Sequence, residues 1–284
     1  MGKYEKISGF ADEITSDLTG QLELLKKLDI HFVEMRGVDG ENLIFHTDEK
    51  VREIRSRLDD AGVKLSAMGT PLGKIGITEP FEKHFEDFKR AVEIAHMMDV
   101  RNMRMFSFYV PQNSAGNDPR VKDEVFARLN KFADYAKAED VVLLHENEKD
   151  IYGEMAAQCK ELMDEFYGDH FKAIFDFANF VQAGQDTLEA YEMLKDYVVY
   201  IHVKDAIAGS GKVVPVGYGD GHVKEIFKRL FASGYDGFLS LEPHLSDFTG
   251  FAELEKGDNT VKDAKPLSGP EAFTLAYDSL LRII

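Results

Sequence analysis

Short apolar runs rich in β-branched and aromatic residues recur along the chain at Ile7–Phe10, His31–Met35, Lys64–Met68, Arg101–Phe106, Val141–Leu144, Ala173–Phe175, Val198–Val203 and Gly237–Leu241. They start roughly 25 to 40 residues apart, the spacing of a strand plus its crossover helix. Between them the apolar positions take helical spacing: Leu18, Leu22, Leu25 and Leu28, then Val51, Ile54 and Leu58, then Phe81, Phe85, Phe88 and Val92. The period returns in Val125, Leu129 and Phe132, in Leu188, Tyr191 and Leu194, in Ile226, Phe227 and Leu230, and in Phe273, Tyr277 and Leu280. Gly62 and Gly234 stand where helices should stop, and Asp29 and Asp99 precede the strands that follow.

Strict alternation of strand and helix favours parallel pairing, and eight repeats close a ring more naturally than they fill an open sheet. The expected fold is a single (β/α)8 TIM barrel over residues 1–284. An open doubly wound sheet is the alternative, but no strand is followed by a GxGxxG or GxxxxGK[ST] loop. The polar stretch 245–268 reads as a long final βα loop, a lid or a disordered segment.

Composition narrows the choice of partners. The formal charge is −17, from 51 acidic and 34 basic residues, so the field of the chain repels nucleic acid and anionic membrane. One cysteine, Cys159, falls on a predicted helix and can form no internal disulfide. The opening MGKYEKISGF has neither a basic n-region nor an apolar h-region, and no apolar run is long enough to cross a bilayer. A cytoplasmic protein acting on a small molecule is expected, and a homo-oligomer is compatible with the sequence.

In such barrels the active site forms where strands end, which turns attention to the polar residues that terminate the apolar runs. Glu146, Asp176, His202 and Glu242 end the fifth to the eighth runs, so they can converge although far apart in sequence. Three carboxylates and an imidazole without thiolate suit Mn²⁺, Mg²⁺ or Co²⁺, and also Zn²⁺. Taken singly, each acid is also a candidate helix cap.

The segments VVLLHENE, AIFDFAN, YIHVKDA and YDGFLSLEP, with GFADEIT, FVEMRGVDGENL and MGTPLGKIGI, resemble the xylose-isomerase-like TIM-barrel superfamily of sugar-phosphate isomerases and epimerases. The resemblance covers nearly the whole chain. It implies a divalent metal, Mn²⁺ foremost, held by Glu146, Asp176, His202 and Glu242, and isomerisation or epimerisation of a keto-sugar or polyol through an ene-diolate that the metal stabilises. Glu146 and Glu242, three strand positions apart, are the implied catalytic bases on opposite substrate faces. A lyase of the same fold is the alternative. An endonuclease IV-like nuclease would need more histidines and a basic face, and an inert binding barrel would hold no metal.

Where ketose 3-epimerases of this family resemble D-x-x-H on the sixth strand, this chain has Asp176-Phe177-Ala178-Asn179. Asn179 can donate to a sugar hydroxyl but cannot carry a proton as imidazole does. Further substrate-binding candidates are Lys204, Arg36, Arg104, Glu34 and Lys74, each with a structural reading as an ion-paired or loop residue. Strand alternation turns His145 away from Glu146 and toward the helices, whereas His244, two residues after Glu242, shares its parity. Glu34, Lys74 and His222 are expected to line the mouth or to be solvent-facing loop residues.

Overall fold

The computed structural model describes residues 4–111, 118–245 and 266–284. Eight strands form the wall of a nearly closed barrel: β1 (Ile7–Gly9), β2 (Phe32–Met35), β3 (Lys64–Met68), β4 (Asn102–Met105), β5 (Val142–Glu146), β6 (Phe171–Asp176), β7 (Val198–Val203) and β8 (Phe238–Leu241). They are hydrogen-bonded in the order β1-β8-β7-β6-β5-β4-β3-β2, each pair parallel, and β1 packs beside β2 to bring the ends of the sheet together.

The crossovers are helices α1 (Leu18–Lys27), α2 (Asp48–Ala61), α3 (Glu82–Met97), α4 (Pro119–Ala138), α5 (Ala156–Phe166), α6 (Phe177–Gln182), α7 (Thr187–Leu194) and α8 (Val223–Ala232), with α9 (Gly269–Leu281) after β8. Their apolar stripes lie on the sheet. Val51, Ile54 and Leu58 of α2 are buried, each contributing about 1.5–3 kcal/mol. Gly62 ends α2 in the left-handed region at φ 68°, and Asp29 and Asp99 turn the chain into the next strand at φ 56° and 54°. Helix α6 has only 6 residues, too few to show a period in the sequence.

Parity divides the core in two. Outward residues meet the helices, whereas Ala67, Val142, Leu144, Ile174 and Tyr200 form a separate apolar plug inside the ring. Two register shifts shape this interior: Val33 faces Leu65 but Glu34 faces Ala67, leaving Ser66 as an extra residue, and Val199 is likewise extra opposite Ala173–Ile174.

The expected loop at 245–268 falls almost wholly on residues 246–265, outside those described. Among the described residues no helix is long and apolar enough to cross a membrane.

Candidate metal centre

Glu146 and Asp176 close β5 and β6, His202 is the penultimate residue of β7, and Glu242 follows β8. Pairing of Asp176 with His202, and of His202 with Ser240, sets these ends at one level. One ligand atom from each of Glu146, Asp176, His202 and Glu242 lies within 4.8 Å of the others, and all four residues are buried. His202 Nδ1 is 2.8 Å from Glu146 Oε1 and 3.8 Å from both Asp176 Oδ2 and Glu242 Oε2.

Asp176 serves two ends at once. Its Oδ1 accepts from the Asn179 backbone N–H at 2.7 Å and caps α6, while Oδ2 is buried and accepts no hydrogen bond, although Lys204 Nζ lies 3.0 Å away. Its backbone is pinned by Asn147, whose side chain accepts from Asp176 N and donates to Asp176 O, both at 3.0 Å. A buried carboxylate oxygen without a hydrogen bond, amid two more carboxylates and an imidazole, fits a divalent cation.

The cluster is charged and dry, and each group is set by its neighbours. Burial pushes Asp176 upward, with Glu242 and Glu146 adding to it against the pull of Lys204. Burial also works to raise Glu146, but His202 and Arg104 outweigh it and hold that carboxyl low. Glu242 is held low in the same way by Lys204, His244, His202 and Arg104. For His202 desolvation is overcome by Glu146 and Glu34, which keep the imidazole toward its protonated form without a metal.

Lys204, buried, wedges between ligands at 2.8 Å from Glu242 Oε2. Arg104 Nη1 reaches Glu146 Oε2 at 3.2 Å. Arg36, nearer the opening, holds Asp12 through two nitrogens at 2.7 and 3.2 Å and stands 3.5 Å from both Glu13 and Glu242. Both guanidiniums stack on the buried Phe10 ring, whose edge meets His202. Lys74 sits at the rim, 3.0 Å from Glu148 and over Phe106. Asn179 donates to Glu146 Oε1 at 3.3 Å and to Asn147 O at 2.9 Å.

One expected position is corrected. Glu34 is not at the mouth: it lies fully buried beneath His202 because its strand parity points it into the ring. His222 is exposed at the start of α8, as a loop residue there should be, with its Nδ1 3.0 Å from Thr187 Oγ1. His145 does face the helices, bonded to Ser107 Oγ at 3.0 Å and stacked on Phe171, and burial pushes it down to about 4.

A second trio, Glu13, Glu242 and His244, also comes within ligand range, but it shares Glu242 and has Arg36 against two of its members. Beside it opens a cavity of about 510 Å³ that reaches Leu245, Leu267 and Ala272. Sequence reasoning missed Phe10, Asp12, Glu13 and Asn147, together with the inward hydroxyls of Ser8, Ser66, Tyr200 and Ser240. Parity could have found two of these, since Tyr200 and Ser240 each precede a ligand by two residues.

The xylose isomerase-like TIM barrel model matches residues 22–265. The chain belongs to that family. No curated protein matches the sequence. Among solved structures, this xylose isomerase-like barrel is similar to an IOLI protein with a bound zinc atom, at 18% identity and TM-score 0.72, covering 98% of this chain and 97% of that one. It is similar to the 3-keto-D-glucoside 4-epimerase YcjR from E. coli at 15% identity and TM-score 0.65, covering 98% of each. It is also similar to the probable 3-DHS dehydratase AsbF from Bacillus anthracis at 18% identity and TM-score 0.69, covering 84% of this chain and 92% of that one.

Proposed function

We propose that this barrel is an enzyme, a metal-dependent isomerase or epimerase of a keto-sugar or related polyol, in which Glu146, Asp176, His202 and Glu242 hold the ion. The observation that carries the reading is the gathering of these four buried groups, each from a different strand end, around Asp176 Oδ2, which accepts no hydrogen bond and is faced by the Lys204 ammonium at 3.0 Å. Manganese is the expected ion, and magnesium, cobalt or zinc also suit an oxygen-rich set with one nitrogen and no thiolate. When bound, such an ion polarises a ketone and its neighbouring hydroxyl.

The chain supplies the proton chemistry. Glu146 and Glu242 are the carboxylates that take the proton from carbon and return it. Arg104 Nη1 lies 3.2 Å from Glu146 Oε2 and 4.0 Å from Glu242 Oε1, so one cation keeps both ionised and able to accept a proton. Lys204 places an ammonium where charge would develop on a substrate oxygen, and Arg36 and Lys74 would meet hydroxyls nearer the opening. Asn179 orients Glu146. Because Asn179 stands in for the proton-carrying histidine of the ketose 3-epimerases, elimination by a lyase is kept as the second reading: it needs the same abstraction and only a leaving group beyond it.

Metal content of the purified protein, followed by incubation of a keto-sugar panel in D₂O, tests the proposal. About one divalent ion per chain and deuterium at the carbon beside the ketone are expected, with exchange lost in Glu146→Gln and in Glu242→Gln. A metal-free protein under manganese saturation overturns the site. Metal without exchange on any keto-sugar overturns the reaction, and loss of water from the product identifies the lyase.

A further inference from the structure

We infer that Glu34 positions His202 for the metal by deciding which imidazole nitrogen carries the proton; the inference rests on the metal site proposed above. A metal-binding imidazole must present one bare nitrogen and keep its proton on the other, and the partner of that second nitrogen sets the choice. His202 Nδ1 faces the ligand cluster, 2.8 Å from Glu146. Its Nε2 faces the barrel interior, where Glu34 Oε2 and Oε1 stand at 3.2 and 3.4 Å. An ionised carboxylate only accepts hydrogen bonds. With Glu34 behind it, Nε2 must donate, which leaves the Nδ1 lone pair for the ion.

Glu34 is itself held in place. Ser240 Oγ donates to Glu34 Oε2 at 2.7 Å, so the same strand that leads to Glu242 also steadies the carboxylate beneath the imidazole. Tyr200 OH faces the same carboxylate and is joined to Ser66 Oγ at 2.8 Å, and Ser66 to Ser8 at 2.6 Å. The register shift at Val33/Glu34 turns both Glu34 and Ser66 into this interior. Phe10 and Tyr200 present rings edgewise to the imidazole at 5.3 and 5.9 Å between centroids, which fixes its plane. Glu34 has 0% exposure and therefore acts on a substrate only through His202.

The test compares wild type, Glu34→Gln and Ser240→Ala for zinc affinity by chelator competition, and follows the His202 Nε2 proton in the zinc-loaded protein by ¹⁵N-imidazole NMR. Glutamine keeps the shape of Glu34 but can also donate, so Glu34→Gln should weaken zinc binding by roughly 10- to 100-fold. Its Nε2 proton should move upfield and exchange faster, a signature that loss of general stability does not produce. Ser240→Ala removes one hydrogen bond to Glu34 and should weaken zinc roughly fivefold, which decides the matter if circular dichroism finds Glu34→Gln unfolded. Wild type that binds no zinc overturns the metal site and this inference together. Wild type that binds zinc, with affinity and Nε2 signal unchanged in the folded variants, overturns the role of Glu34 alone.

Discussion

Strands β5 to β8 end in Glu146, Asp176, His202 and Glu242, whereas β1 to β4 contribute none of these and carry Ser8, Glu34, Ser66 and Arg104 into the same interior. The β5–β8 half gathers negative charge that no half-barrel could keep buried. The β1–β4 half makes it tolerable: Arg104 faces Glu146 from β4, Arg36 approaches Glu242 from the end of β2, and Glu34 backs His202. A cluster of buried acids costs several kcal/mol per unpaired ion, so the ligand set depends on ring closure as much as on its own strands. The partners are far apart in sequence, Arg36 and Glu242 being separated by 206 positions. The centre can assemble only when the two halves meet.

The sharpest way to break this division is to remove a charge from the supporting half. Arg104→Met leaves Glu146 buried with less compensation and should cost about 3–5 kcal/mol in urea unfolding of the chelator-treated protein. Saturating manganese should shrink that deficit, because the ion replaces the lost positive charge. A cost under about 1 kcal/mol, typical of an exposed pair, would remove Arg104 from the supporting role.

One layer below, the apolar plug provides the contrast. Leu144→Ala should cost about 2–5 kcal/mol, and by the same amount with or without manganese, since Leu144 belongs to the apolar plug and offers the ion no ligand. A deficit that metal reverses would mean that plug and cluster are one unit.

The smallest effect is the pH dependence of metal-free stability. Burial pushes His145 down to about 4 and also lowers His84, which accepts the Gly73 N–H at 2.7 Å. In the unfolded chain both return to about 6.5. Between these values the unfolded state binds more protons, so this stability is complete above pH 6.5 and is lost as pH falls toward 4. His145→Gln should flatten the slope in that window. An unchanged slope would exclude His145 as its source.

Much of the fold was legible because its signal is local. Each strand showed as an apolar run, Gly62 and the aspartates marked the turns, and strand ends pointed to the four clustered residues. Parity alone placed His145 correctly. Glu34 was read as a rim residue because an acid at a strand end looks the same in sequence whether it faces solvent or the ring, and only the register with β3 decides between them. Asp176 was ambiguous between cap and ligand. Its two oxygens are engaged differently, which the sequence cannot express. The Phe10 platform stayed hidden because it depends on two arginines meeting across strands.

The paired bonds from the Asn147 side chain to Asp176 imitate one more rung of the β5–β6 ladder after the strand itself has ended. They act as a ratchet stop against sliding. A slip of one residue in β5 would swing the His145 ring into the mouth and bury the Glu146 carboxylate among the aromatic side chains of the outer shell. The amide of Asn147 therefore proofreads which of two adjacent side chains enters the chemistry, and a one-residue insertion or deletion just before it would exchange them.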